Sequence, residues 1–354
     1  VKSSLSVSSS TGEYEILIGK GLVNTLPTDS VVLVDPNITK FLPQELEHVI
    51  EVPGNEESKT LLGCEKVILN MRENGVRRGH AVTAIGGGAI QDVATLSTSL
   101  YMRGVDWNYV PTTLMSMADS CIGGKSSINA GGIKNLVGNF HPPRKILIDP
   151  IFIETLPPEA ITSGLSEAVK ICFARGPEAF SQYLASPASI SPGNNEETAL
   201  LIHHVLSSKK WFVEIDEFDK NERQLLNFGH SFGHAWEAAC GFSVQHGIAV
   251  SVGMLAALNH PRSANTEAML KLKSYCQQIV QPVLPQIQLA TESTDWDVFR
   301  AALGSDKKNS SDQLRLILPN SNSELEIVEI PLLPEQLILA TTAIQLALKE
   351  ISND

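Results

Sequence analysis

The segment NFGHSFGHAWEAACGFSVQH, Asn227 to His246, places three histidines within seventeen residues. His230 and His234 stand one helical turn apart, a spacing at which two imidazoles can share a divalent metal. Their spacer is Ser231-Phe232-Gly233, without the glutamate that supplies the general base of a HExxH protease. A metal held here needs a third ligand. His246 and Glu167 are the candidates, giving a set of two histidines and a carboxylate with one position open to a substrate oxygen. The competing reading, separate core or surface histidines, does not account for the clustering. Glu167 and Lys170 in SGLSEAVKI are three residues apart and share a helix face, where a surface ion pair is the plain alternative. Arg223, Asn227, His230 and His234 follow at i, i+4, i+7 and i+11, so one continuous helix would carry all four on one stripe.

A second group of residues points to anions. In AIGGGAIQDVATLSTS, Gly86, Gly87 and Gly88 sit where a strand ends and a helix begins, so the backbone can approach a pyrophosphate at the helix N-terminus. Asp35 and Asn37 follow an earlier strand and Glu56 and Lys59 the next, positions where side chains can take ribose hydroxyls, although each alone reads equally as a turn or cap residue. The stretch from Thr112 and Thr113 to Asn135 sets Asp119, Lys125, Asn129, Lys134 and Asn135 among glycines and reads as one long functional loop. Its lysines could hold a phosphate or a carboxylate. Lys307 and Lys308 in GSDKKNSSDQ form a solvated pair or an anion clamp.

The elements that must position these groups change character near Pro150. YEILIG, SVVLVD, HVIEVP, HAVTAIGGG and KILIDP read as strands alternating with helical stretches, the pattern of a parallel sheet covered by helices. Beyond Pro158 the pattern is long helices, with only QLRLILP and LEIVEIP extended. The fold class is an α/β, Rossmann-like dinucleotide domain over 1–150 and a mainly helical metal and substrate domain over 151–354. The 354 residues carry a net charge of −12, which argues against nucleic acid or an anionic membrane as partner. No apolar run is long enough to span a bilayer, and the first residues lack the order of a signal peptide, so a cytoplasmic enzyme is expected. Five cysteines without CxxC spacing fit reduced structural thiols.

The motifs GGGAIQD, RGVDWNYVPTTLMSMADSCIGGK, KNLVGNF, GLSEAVK and LLNFGHSFGHAWE, with His246 twelve residues after His234, resemble the sugar phosphate cyclases, most closely the 3-dehydroquinate synthase family. The resemblance runs from VLVDPN to DKKN, nearly the whole chain. It implies that Glu167, His230 and His246 bind a divalent metal, zinc most often and cobalt as the other candidate, while His234 faces a substrate phosphate. Lys125, Asn135, Asn227, Lys307 and Lys308 are implied for the same phosphate region, with Arg103 reaching in from the partner of a homodimer. Lys209 and Arg223 would hold the substrate carboxylate, and Asp119 and Lys170 would lie near the reacting hydroxyls. Asp35, Asn37, Glu56, Lys59, Gly87, Gly88, Asp92, Thr112, Thr113, Lys134, Phe152 and Thr155 would bind NAD.

The implied reaction takes a small phosphorylated sugar acid, 3-deoxy-D-arabino-heptulosonate 7-phosphate, to 3-dehydroquinate in the shikimate pathway. NAD⁺ oxidises one hydroxyl, phosphate leaves, the NADH formed reduces the ketone again, and an intramolecular aldol step closes the ring. A bound metal would acidify the hydroxyl and fixed cations would hold the phosphate. The chain departs from the family pattern at Ser126-Ser127, at Ile133, and at Asp219 where glutamate is usual. The alternatives are a sister cyclase making 2-deoxy-scyllo-inosose, an aminodehydroquinate or a valiolone, a metal-dependent alcohol or glycerol dehydrogenase, and a non-catalytic regulator. Lys209 and Arg223 favour a carboxylate-bearing substrate, and so many cations would have no purpose in a dehydrogenase.

Overall fold

The computed structural model describes residues 3–186, 194–306, 309 and 312–352. In chain order the elements are β1 (Ser3–Ser9), β2 (Gly12–Ile18), β3 (Val31–Val34), β4 (His48–Glu51), α1 (Leu61–Glu73), β5 (Ala81–Gly86), α2 (Gly88–Leu100), β6 (Asp106–Pro111), β7 (Ile128–Ala130), β8 (Ile133–Val137) and β9 (Lys145–Ile148). There follow α3 (Pro158–Arg175), α4 (Pro177–Ala185), α5 (Asn195–Ile215), α6 (His230–Ala239), α7 (His246–Asn259), α8 (Glu267–Val280), α9 (Leu284–Glu292), α10 (Trp296–Gly304), β10 (Gln313–Pro319), β11 (Leu325–Pro331) and α11 (Pro334–Ser352). Two compact units result, Val1–Leu156 with Pro187–Phe218, and Pro157–Ser186 with Asp219–Asp354. This division differs from a single break near Pro150. The first unit runs to Leu156 and takes back α5, which packs against β1 and the turn at Ser116–Ser120.

The first unit is built on a seven-stranded sheet in the order β1-β2-β9-β6-β5-β3-β4. Every residue of β3 is buried, as is all of β5 after Ala81, the burial of parallel strands covered on both faces. The sheet is mixed rather than purely parallel, because β1 adds an antiparallel edge to β2. Its serine-rich sequence hides that strand; only Leu5 and Val7 alternate as apolar residues. From β3 the chain goes outward to β4 and then, through α1, back to β5 on the other side of β3. The carboxyl ends of β3 and β5 therefore flank a topological switch point, where open α/β sheets place their ligands. The glycine-rich stretch is not one loop. It contains a helical turn at Ser116–Ser120 and the hairpin β7–β8, whose tip Gly131-Gly132 takes left-handed φ of 59° and 79°.

In the second unit α7 is buried continuously from Gly247 to Ala257, which marks it as the central helix. It packs against α3, α6, α8, α11 and β10. Close approach depends on glycine. A Cβ on Gly253 would lie 2.0 Å from the Gly229 carbonyl oxygen, and one on Gly247 would lie 2.2 Å from the Ser163 carbonyl oxygen. Arg223 and Asn227 lie on a 3-10 turn, Glu222–Asn227, and Gly229 breaks the path at a left-handed φ of 77° before α6 begins. The four-residue stripe expected on one helix is thus two short pieces with a corner between them.

Two outcomes follow from this packing. Gly253→Ala overpacks the α6–α7 crossing and should lower unfolding stability by about 1–3 kcal/mol, read from the urea midpoint of the purified variant. His260, which ends α7, is only 2% exposed, and its Nδ1 accepts the Arg262 backbone N–H. Burial, with Arg262 nearby, pushes its imidazole down to about 4 from the ordinary 6.5. The unfolded chain therefore takes up a proton that the folded chain refuses as pH falls through that window, and stability is lost there. The melting temperature of His260→Asn should fall less steeply than wild type between pH 6.5 and 4.

Candidate functional site

The helix packing in the second unit brings Glu167, His230 and His246 together. Gly247 donates its N–H to Ser163 Oγ at 2.9 Å, which docks the start of α7 on α3 one turn from Glu167. Glu167 Oε1 then lies 3.7 Å from His230 Nε2 and 3.5 Å from His246 Nε2. That oxygen is buried without a hydrogen-bond partner. His234 joins the cluster, its ring 5.2 Å from both of the other imidazoles, and the three histidines offer nitrogens within 4.8 Å of one another. Whichever three serve, the donor set of imidazole nitrogens and one carboxylate oxygen suits a divalent first-row metal.

The outward-facing nitrogens are also occupied. His246 Nδ1 lies 3.2 Å from Glu237 Oε2, and His230 Nδ1 lies 3.3 Å from the Phe228 carbonyl oxygen. An acceptor on Nδ1 fixes the tautomer that leaves Nε2 as a lone-pair donor, the usual support of a metal-binding histidine. Glu237 is a residue that the sequence reading did not single out. Its signal was the glutamate of GHAWE, three residues past His234, which reads as an ordinary helix residue until α7 is seen beside it.

Lys170 and Glu167 are in direct contact through Nζ and Oε2 and are 3% and 2% exposed, so this is no surface ion pair. Burial raises the Glu167 carboxyl, but the Lys170 ammonium, with the neighbouring imidazoles, outweighs it and holds the group well below its usual range. Burial, then Lys170, pushes the His230 imidazole well below its usual value. Burial pulls His246 the same way, yet its contacts with Glu167 and Glu237 lift it to about 9. Arg223 is buried in the same unit, and Asn227 donates to the Gln224 carbonyl at 3.0 Å. Asn227 and Ser231 line a cavity of about 310 Å³ together with Gln224 and Arg315.

The first unit gathers the dinucleotide candidates. Gly87 and Gly88 open α2 at the switch point, with no side chain capping the first turn. A Cβ on Gly87 would sit 2.9 Å from the Thr113 methyl carbon, whereas beyond Gly88 there is open space. The first turn thus keeps its N–H groups without a side-chain cap and has open space beside Gly88, which fits a pyrophosphate. Asp35 accepts from Asn37 through both the backbone N–H, at 3.0 Å, and the side-chain amide, at 2.9 Å, so the plain cap reading of this residue is also met. Lys59 bridges Glu56 at 3.3 Å and Asp92 at 3.0 Å. Thr112 is buried and its N–H is bonded to Gly86, while Thr113 caps the following turn through Ser116. Lys134 acts electrostatically on Glu56, and Thr155 is exposed. The Phe152 ring is fully buried in edge contact with Phe41, so any part it takes in the cofactor site is through its main chain.

Lys209 and Asp119 pair at 2.5 Å in the first unit, and Lys209 also donates to the Ile122 carbonyl at 3.3 Å. Gln91 of α2 clamps the turn that carries Asp119, exchanging hydrogen bonds of 2.6 Å with Ser120. Gln91 sits within GGGAIQD, yet nothing in the sequence assigns it a role, because its partner Ser120 comes beside it only in the fold. Lys125 has its ammonium 6.0 Å from the Phe140 ring, and Asn135 takes a left-handed φ of 55°. Arg103 is exposed at φ 69°, next to Met102 at 50°, an uncommon pair of left-handed non-glycine residues. Lys307 and Lys308 lie outside the described residues.

Residues 49–163 match the family described as 3-dehydroquinate synthase N-terminal, and 164–309 match 3-dehydroquinate synthase C-terminal. The 3-dehydroquinate synthase of Natranaerobius thermophilus is 32% identical over 342 residues, covering 90% of this chain and 92% of the relative. Among solved structures, 2-deoxy-scyllo-inosose synthase complexed with carbaglucose-6-phosphate, NAD⁺ and Co²⁺ superposes with a TM-score of 0.82 at 22% identity, over 97% of this chain and 99% of that one. A 2-epi-5-epi-valiolone synthase from Streptomyces hygroscopicus subsp. jinggangensis 5008, with NAD⁺ and Zn²⁺ bound, gives 0.76 at 25% identity over 96% of each chain. With both halves matched in order and a relative at this identity over nine-tenths of its length, the chain belongs to the 3-dehydroquinate synthase family.

Proposed function

We propose that this chain converts 3-deoxy-D-arabino-heptulosonate 7-phosphate to 3-dehydroquinate and phosphate, using NAD and a divalent metal held by Glu167, His230 and His246. The observation that carries the reading is Glu167 Oε1, buried without a hydrogen bond and facing two imidazole Nε2 atoms whose Nδ1 atoms are engaged elsewhere. When bound, the metal lowers the pKa of a chelated hydroxyl and the nicotinamide accepts and returns a hydride. Zinc is the preferred ion, in line with the valiolone synthase, and cobalt the second, in line with the inosose synthase.

The chain's own groups do the binding and positioning. Lys170 keeps Glu167 ionised and therefore able to ligate. Arg223, buried and always charged, suits the substrate carboxylate, a role assigned also to Lys209. Asn227, His234, Lys125 and Asn135, with Lys307 and Lys308, serve the phosphate, which leaves as a dianion and needs several donors. Asp119 holds Lys209 in place and offers an acceptor to a substrate hydroxyl. The main-chain N–H groups at Gly87 and Gly88 receive the pyrophosphate, and Glu56, Lys59 and Asp92 form the adjoining polar wall. Arg103 on its strained turn is assigned to the partner's site in a homodimer. No helix among the described residues is long and apolar enough to cross a membrane, and a cytoplasmic location is proposed.

Purified protein supplied with the heptulosonate phosphate, NAD⁺ and Zn²⁺ should release inorganic phosphate and form dehydroquinate without accumulating NADH. Steady NADH formation would identify a dehydrogenase instead, and release from a non-acidic sugar phosphate alone a sister cyclase. His246→Ala should lose metal-dependent turnover and metal content together; wild-type metal content in that variant would refute the ligand set. Glu237→Gln keeps the side-chain shape but weakens the acceptor on His246 Nδ1, and should reduce metal affinity by about 10–100-fold, measured by competition with a chelator.

A further inference from the structure

Asn129 has no role in the function proposed above, yet it makes three contacts that join two parts of the first unit's site. Its side-chain amide donates to Glu56 Oε1 at 2.9 Å, its side-chain carbonyl accepts the Asn135 backbone N–H at 2.9 Å, and its own backbone N–H donates to the Lys59 carbonyl at 2.8 Å. Glu56 also takes Lys59 Nζ at 3.3 Å, Lys59 holds Asp92 at 3.0 Å, and Asp92 accepts the Ser127 N–H at 2.9 Å. Ser127 is two residues before Asn129, so the contacts close into a ring. One side of that ring is the polar wall of the dinucleotide site and the other is the root of the hairpin β7–β8.

Apart from this ring, the hairpin is held at its root, where Ser126 and Asn139 exchange hydrogen bonds and Ile128 is buried, while its outer part rests on its own pairing. Its register pairs only Ile128 with Val137 and Ala130 with Ile133, with an irregularity between them. Ile133, Lys134, Asn135 and Leu136 are all exposed. A two-stranded hairpin of this length is marginal by itself. Asn135, an L-residue at φ 55°, depends on surroundings that fix it there, and the bond to Asn129 is what meets its backbone N–H. Burial raises the Glu56 carboxyl, but the Asn129 amide and Lys59 outweigh it and keep the group ionised, hence a strong acceptor for that amide.

We propose that Asn129 couples the dinucleotide site to the anion-binding hairpin, so that NAD⁺ and phosphate each favour the binding of the other through this one side chain. The inference rests on the function proposed above, in which Glu56, Lys59 and Asp92 border NAD and Asn135 serves the phosphate. A ligand that orders the Glu56–Lys59 wall orders Asn129, and with it the backbone at Asn135. The second ligand then meets a hairpin already fixed, and the effect is reciprocal by linkage.

The test is the dissociation constant of NAD⁺, measured by calorimetry on the metal-loaded protein with and without saturating inorganic phosphate. Wild type should bind NAD⁺ about 5–10-fold more tightly with phosphate present. In Asn129→Ala that ratio should fall below about twofold, with the melting temperature used to confirm folding. Asn129→Asp retains an acceptor for Asn135 but sets a carboxylate against Glu56. It should lose the ratio as well, and it serves if the alanine variant does not fold. A role in stability alone would weaken binding without altering the ratio. A wild-type ratio in either folded variant overturns the proposal, as does a wild-type protein that binds NAD⁺ with no response to phosphate. Wild type with no affinity for NAD⁺ at all overturns the function proposed above, and the coupling with it.

Discussion

The second unit depends on how closely three helices can approach. Glu167 is on α3, His230 on α6 and His246 on α7, and no two of them are neighbours in sequence. Their convergence requires backbone to touch backbone at Gly229, Gly233, Gly247 and Gly253, where any Cβ would lie within 3 Å of a main-chain atom. A helix such as α7, buried on all sides, offers its neighbours few polar contacts to choose among. Steric fit therefore does the selecting. His230 and His246 stand at the first residues of α6 and α7, and the glycine contacts bring both up to Glu167 in the middle of α3.

The cost of gathering a carboxylate and several imidazoles in one buried place is met by charge arrangement. Lys170 offsets the burial of Glu167, and Glu237 offsets that of His246. The result is a set of donors unequal in proton affinity: His230 is held neutral, whereas His246 is drawn toward the charged form and would yield its Nε2 proton to a metal. The first unit solves a similar problem by a different device, a ring in which Lys59 stands between Glu56 and Asp92. In both places a single lysine keeps two acidic or ligating partners usable.

Much of this was legible in the sequence. The strands β2, β3, β4, β5, β9, β10 and β11 announce themselves as apolar runs, and the glycine row marks the start of α2. The histidine spacing and the distant Glu167 were enough to propose a metal. What escaped was long-range or disguised. β1 hides among serines because its partner β2 supplies the pairing. The break at Gly229 escaped because a helical period continues through a glycine on paper but not through a left-handed φ. Glu237 and Gln91 gain meaning only from residues that the fold brings beside them, and Asn129, legible as a polar residue among glycines, gains its partners in the same way.

The return of α5 to the first unit bears on how the chain is made. β1 and the Ser116–Ser120 turn receive their covering helix only after α3 and α4 have been synthesised. The first unit is therefore incomplete when its own strands have all left the ribosome, and α3, with Glu167 on it, emerges during the wait. The two units are interleaved in time as well as in sequence. A cut at Leu156 would not release a finished dinucleotide module, but a sheet with one helix missing and Asp119 deprived of Lys209.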